Sequence, residues 1–124
     1  MNSKVKLIIR ILLALFVLLF GVNKFAEFMP FPPVPGDGGQ LMDIYISSGF
    51  MGIVGALEIG AGLALLVGRY IPIALTITIA IMVNAVLFHI FHDPATVGGG
   101  VIGLVLALVL LFGYKDKFGT YFNV

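Results

Sequence analysis

The sequence predicts an all-α membrane protein: an antiparallel four-transmembrane-helix bundle, both termini cytoplasmic, with a Pro-rich outer loop and a short interfacial helix. Three observations predict it. The 124 residues are 60% hydrophobic and only 10% charged, with a mean hydropathy of +1.17. A soluble domain is about 45–50% apolar and about 25% charged, and one this small would leave much of that apolar surface in water. Four apolar runs, at about residues 7–28, 50–68, 71–91 and 97–113, approach the ~20 residues that cross a bilayer as helix. The runs are continuous, without the period-two alternation of barrel strands. In hydrocarbon every backbone amide must find a partner, so such runs become helices. Residues 1–124 therefore read as a single integral membrane domain.

Several function classes fall away at once. With no cysteine, no mechanism can use the chain's own thiols, and a disulfide framework is excluded. The net charge of +1 offers no basic field for nucleic acid. Neither a phosphate-binding Walker loop nor a dinucleotide glycine fingerprint is present.

The first run opens with Lys4, Lys6 and Arg10. A basic start and apolar stretch also describe a cleaved signal peptide. No small-x-small site follows Phe20, however, so a retained helix is expected. Arg10 is expected to snorkel to the headgroups. The loop that follows holds Pro30, Pro32, Pro33 and Pro35, four prolines in six residues, which favour a stiff extended path. Residues 40–48 read as a short interfacial helix, serving either as a connector or as a lid. The second and third runs join through Gly68 to Pro72, and the third and fourth through His92 to Thr96. Links this short make antiparallel neighbours. With an even number of spans, Lys4, Lys6, Arg10, Arg69, Lys115 and Lys117 share one side, while Asp37, Asp43 and Asp93 share the other. The positive-inside rule makes the first side cytoplasmic, and a bacterial cytoplasmic membrane is the expected location.

Small residues mark expected helix contacts. Gly52, Ala56, Gly60, Ala64 and Gly68 recur every four residues in the second run. Gly98, Gly99, Gly100, Gly103 and Ala107 form a second stripe in the fourth. Both read as packing within the chain, or between two copies of it. Gly55 and Gly62 flank Glu58 and are expected to leave room near its carboxylate.

Charged side chains inside a membrane mark function by default. Glu58 falls roughly 13 Å below the outer end of its helix, where its carboxylate must be protonated, paired or wetted. Asn23, Lys24, Asn84 and His89 fall in the same outer half. The residues leave three readings open: a structural Lys24–Glu58 pair, a polar pocket that accepts a carbonyl or hydroxyl head, or a proton relay through Glu58 and His89. A local Lys24–Glu27 pair would be worth only a few tenths of a kcal/mol. His89, His92 and Asp93 make a weak metal pattern, and no metal site is expected from them.

These motifs resemble those of the DoxX family of small four-helix membrane proteins. Gly21-Val22-Asn23-Lys24-Phe25 is similar to its Gly-x-x-Lys-hydrophobic element, and Leu57 to Gly68 to its Glu-x-x-Gly-Gly-x-x-Leu-Leu-x-Gly stretch. Asn84 to His89 is similar to its Asn…Phe-x-His region. The family name comes from a subunit of a membrane thiosulfate:quinone oxidoreductase, and other members are linked to oxidative-stress complexes. The resemblance implies a shared polar pocket made by Lys24, Glu58, Asn84 and His89, to which position alone adds Asn23. It implies a quinone-associated, ligand-binding or accessory role, with a membrane redox partner or a second copy as partner. The missing cysteines keep thiol chemistry from carrying over, and independent turnover is not expected. A small proton-coupled transporter and an assembly subunit are the alternatives.

Overall fold

A computed structural model describes residues 1–30 and 33–119. Every regular element among them is helical: α1 (Ser3–Ala26), α2 (Gly36–Ser47), α3 (Phe50–Val67), α4 (Ile71–His92) and α5 (Gly98–Gly113). Single 3₁₀ turns follow α4 at Pro94–Thr96 and α5 at Lys115–Phe118. Helices α1, α3 and α4 are long and apolar enough to cross a membrane. Helix α5 is equally apolar but has 16 residues, one fewer than expected, because the 3₁₀ turn takes up the chain before it.

Local chemistry explains the boundaries. Asn2 caps α1, its side chain accepting from the Lys4 amide at 2.8 Å. The helix ends where Glu27 turns left-handed (φ 51°) and donates its N–H to the Asn23 carbonyl. Helix α3 stops at Gly68, whose φ of 78° suits a residue without Cβ. Pro72 then lies in the first turn of α4, where no amide is missed. Asp93 precedes Pro94, and the chain leaves the helix there. Helix α2 begins at Gly36, four residues earlier than expected. It leans on α3 and α4, with Gly38 buried against His92 and Val34. Of the proline-rich stretch, Phe31 and Pro32 lie outside the described residues.

Helix α1 packs most extensively on α3 and also meets α5, while α4 meets both α3 and α5. The pairings are antiparallel. Along α1, Arg10 lies against Gly68, Leu18 against Gly62 and Gly21 against Gly55 and Glu58, so one number falls as the other rises. Met82 lies against Gly103 and Val86 against Gly100, which sets α4 antiparallel to α5. The shared core contains Leu13, Val17, Leu65, Leu75, Ala107 and Leu110, all within 1% of full burial. Apolar side chains cover the outside as well: Leu12, Ile53, Leu63, Ile73 and Ile102 are each at least half exposed. Water is a poor solvent for such a surface and lipid a good one, so the molecule is a multi-pass membrane protein.

The expected α3 stripe holds toward the carboxyl end, where Ala64 packs on the core and Gly68 meets Arg10, and is corrected in its middle. Ala56 and Gly60 face outward, and nothing lies within 4 Å of a Cβ built on Gly60. The buried face of α3 is Gly55, Glu58, Ala61, Gly62 and Leu65. Burying Glu58 rotates the helix, and the glycines on the acid's own face make the contact. The α5 stripe holds at Gly103, packed on Met82 and Phe16, and at Ala107.

Candidate functional site

Glu58 sits halfway along α3 and faces α1. Its side chain is 2% exposed, and Oε1 lies 2.5 Å from the Nζ of Lys24, whose side chain is 19% exposed. The two charges are in direct contact, closed off from solvent on the Glu58 side. The backbones come close because both helices offer glycine there. A Cβ on Gly21 would lie 3.0 Å from the Glu58 Cβ and 3.1 Å from the Gly55 carbonyl. A Cβ on Gly62 would lie 2.6 Å from Leu18 Cγ. The space these glycines leave is therefore taken by α1. Phe25 and Lys24 fill it at Gly55, and Leu18 fills it at Gly62.

The other sequence-predicted residues stand apart from the pair. Asn23 is buried, but its amide clasps the turn after α1: Nδ2 donates to the Met29 carbonyl at 3.0 Å and Oδ1 accepts from the Met29 N–H at 2.7 Å. Asn84 is exposed, and its Nδ2 donates to the Ala80 carbonyl of its own helix. It lies about 200° around α4 from buried Met82, on the face away from the core. His89 is near the end of α4, where Nδ1 lies 3.0 Å from the Thr96 hydroxyl. Depth along a helix is legible in a sequence, whereas azimuth is decided by packing. Only Lys24 and Glu58, of the residues expected together, are brought together.

Arg10 has partners within the chain that the sequence did not show. Its guanidinium lies over Gly68 at the carboxyl end of α3, and Nη1 donates to the Tyr114 hydroxyl at 3.1 Å. Lys6 donates to the Gly113 carbonyl and lies 4.6 Å from the centre of the Tyr114 ring. Two cations thus serve the carboxyl ends of α3 and α5, where the helix dipoles are negative. Sequence reasoning missed this cluster. Its signal was an arginine seven residues into an apolar helix, matched by a tyrosine directly after the last one.

Among the described residues, no group of three or more His, Asp or Glu side chains is placed to hold a metal. An open apolar groove of about 550 Å³ runs along α4 beside Leu111 and Phe118, lined by Pro72, Ile73, Thr76 and Ala80. It carries no titratable group.

The DoxX family model matches residues 5–93, spanning α1 to α4 and both members of the ion pair. No curated protein and no solved structure matches the chain.

Proposed function

The chain belongs to the DoxX family, and from that premise we propose a ligand-binding or accessory membrane component centred on Lys24 and Glu58, with no turnover of its own. In this reading the protein forms a four-span antiparallel bundle in a bacterial cytoplasmic membrane, with both termini cytoplasmic. Helix α5 is the fourth span. Its 16 residues reach about 24 Å against a hydrocarbon core of ~30 Å. The flanking 3₁₀ turns and local thinning of the bilayer cover the difference. The exposed Lys4, Arg69, Lys115 and Lys117 support that orientation.

The observation that carries the reading is the unequal burial of the pair. Glu58 is closed off, while Lys24 keeps a fifth of its side chain accessible. An ammonium has three donors, and Glu58 faces only one side of it. The remaining donors suit an acceptor head on a lipid-soluble molecule, and a quinone carbonyl is the class that the family resemblance suggests. Glu58 holds the ammonium in place and offsets its charge in a medium where an unpaired cation is costly.

The test is mass spectrometry of small molecules that copurify with the full chain in mild detergent, beside Lys24→Met and Glu58→Gln. The expected result is a quinone or other carbonyl-bearing lipid present in the wild type and depleted in both variants. An identical set of small molecules in all three, each folded, would overturn it. A second reading has its own observation: Gly21, Gly55 and Gly62 bring α1 and α3 into close contact around the pair, as a pair that only fastens α1 to α3 would. That reading predicts the identical set. Proton-coupled export or a docked partner would appear instead as flux in liposomes under a pH gradient, or as a crosslinked neighbour in native membranes.

A further inference from the structure

At the far end of α4 three side chains form a hydrogen-bonded chain that the ion pair does not use. The Thr96 hydroxyl lies 2.5 Å from Asp93 Oδ2 and 3.0 Å from His89 Nδ1. A hydroxyl has one proton to give, and a carboxylate has only acceptor oxygens. The short contact assigns the Thr96 proton to Asp93. The hydroxyl oxygen must then accept from His89, so Nδ1 carries the ring proton. In a neutral imidazole this leaves the lone pair on Nε2.

We infer that His89 Nε2 is a hydrogen-bond acceptor site for a hydroxyl-bearing amphipathic molecule, a phenol or an alcohol, held in the accepting tautomer by Asp93 and Thr96. The three residues come from one helix end and one 3₁₀ turn, so the arrangement is local and stiff. The ring is half-buried, and the Phe88 ring meets it edge-on at 5.6 Å. Ile90, the next residue along the helix, is exposed at 53%. A ligand with an apolar body can lie against these side chains while its O–H points to Nε2. Thr96 and Asp93 are positioning residues: they act by fixing which ring nitrogen carries the proton, as partners of the distal nitrogen do for metal-bound histidines. Neither Lys24 nor Glu58 takes part, so the site stands or falls separately from the proposed function.

The chain has two histidines, so ring-¹⁵N labelling of the full chain with His92→Gln leaves a single imidazole to observe. In a hydroxyl-free detergent at about pH 8.5, where an ordinary imidazole is neutral, the expected spectrum has a protonated Nδ1 and an unprotonated Nε2. Free histidine prefers the opposite tautomer. Adding 4-butylphenol should shift Nε2 saturably, while 4-butylanisole, which has no O–H, should leave it in place. Thr96→Val should move the proton to Nε2 and weaken phenol binding roughly five- to tenfold, the loss of about one hydrogen bond. Thr96→Ser should restore both. A wild-type ring protonated at Nε2, or equal responses to the phenol and the anisole, would overturn the inference.

Discussion

Removing the Lys24 ammonium should destabilise the protein far more than removing the pair. In Lys24→Met the Glu58 carboxylate keeps its place, 2% exposed between α1 and α3, with no counter-charge. Breaking one side of a buried ion pair costs about 3–5 kcal/mol, because a charge is left without compensation. That is roughly a 150- to 4,000-fold change in the folding equilibrium. Glu58→Gln should cost less, about 1–3 kcal/mol, because Lys24 is one-fifth exposed and its flexible stem can carry the ammonium toward the headgroups. The double variant Lys24→Met/Glu58→Met should return to within about 1 kcal/mol of the wild type, since apolar replacement of a whole buried pair is often neutral. The assay is reversible unfolding of the full chain by SDS in mixed micelles, with all four corners of the cycle measured. If Lys24→Met costs under about 1 kcal/mol, or the double variant is no better than Lys24→Met, the pair does not hold the two helices together.

Two further perturbations test the packing and the clasp. Gly62→Ala should destabilise by about 1–3 kcal/mol in the same titration, as overpacking does, because its Cβ would press on Leu18 at 2.6 Å. Gly60→Ala, in open space two residues away, should be neutral or stabilising by up to about 1 kcal/mol through helix propensity. Asn23→Ala removes both bonds to Met29; hydrogen exchange at the Met29 amide should accelerate, with a stability loss of about 1–3 kcal/mol. Unchanged exchange would show that the loop after α1 holds its shape without the clasp.

Much of the architecture was legible because hydrocarbon allows few choices. The α3 and α4 boundaries follow the apolar runs to within a residue, since Gly68, Pro72 and Pro94 punctuate them. Helix α1 starts before its apolar run, because Lys4 and Lys6 are helical rather than flanking; hydrogen bonding begins at Ser3, behind the Asn2 cap. Helix α2 also starts early. Glycine-rich residues 36–39 suggest a turn, yet Gly38 is helical where it packs on His92.

The candidate site was legible only in part. Glu58 was conspicuous because an intramembrane carboxylate is expensive, and Lys24 was the basic residue at a matching depth. Depth alone drew in Asn23, and depth together with the family resemblance drew in Asn84. Asn23 proves to bind its own loop, and Asn84 its own helix. The Asp93–Thr96–His89 chain was invisible as a unit because it depends on the 3₁₀ turn that folds Thr96 back over the end of α4.

The sequence alone determined the solvent, the secondary structure and the presence of one costly carboxylate. Those properties depend on composition and on neighbours along the chain, which a linear string records. Tertiary structure decided which face of each helix points inward: on α3, Gly55 and Gly62 meet α1, whereas Ala56 and Gly60 face out. It decided that Arg10 meets Tyr114, and that Lys24 closes on Glu58 while Asn84 faces out. The physical reason is that an apolar helix in lipid has little amphipathic preference to orient it. Its rotation is set by close packing and by the need to pair a buried charge, and both arise only when the helices meet.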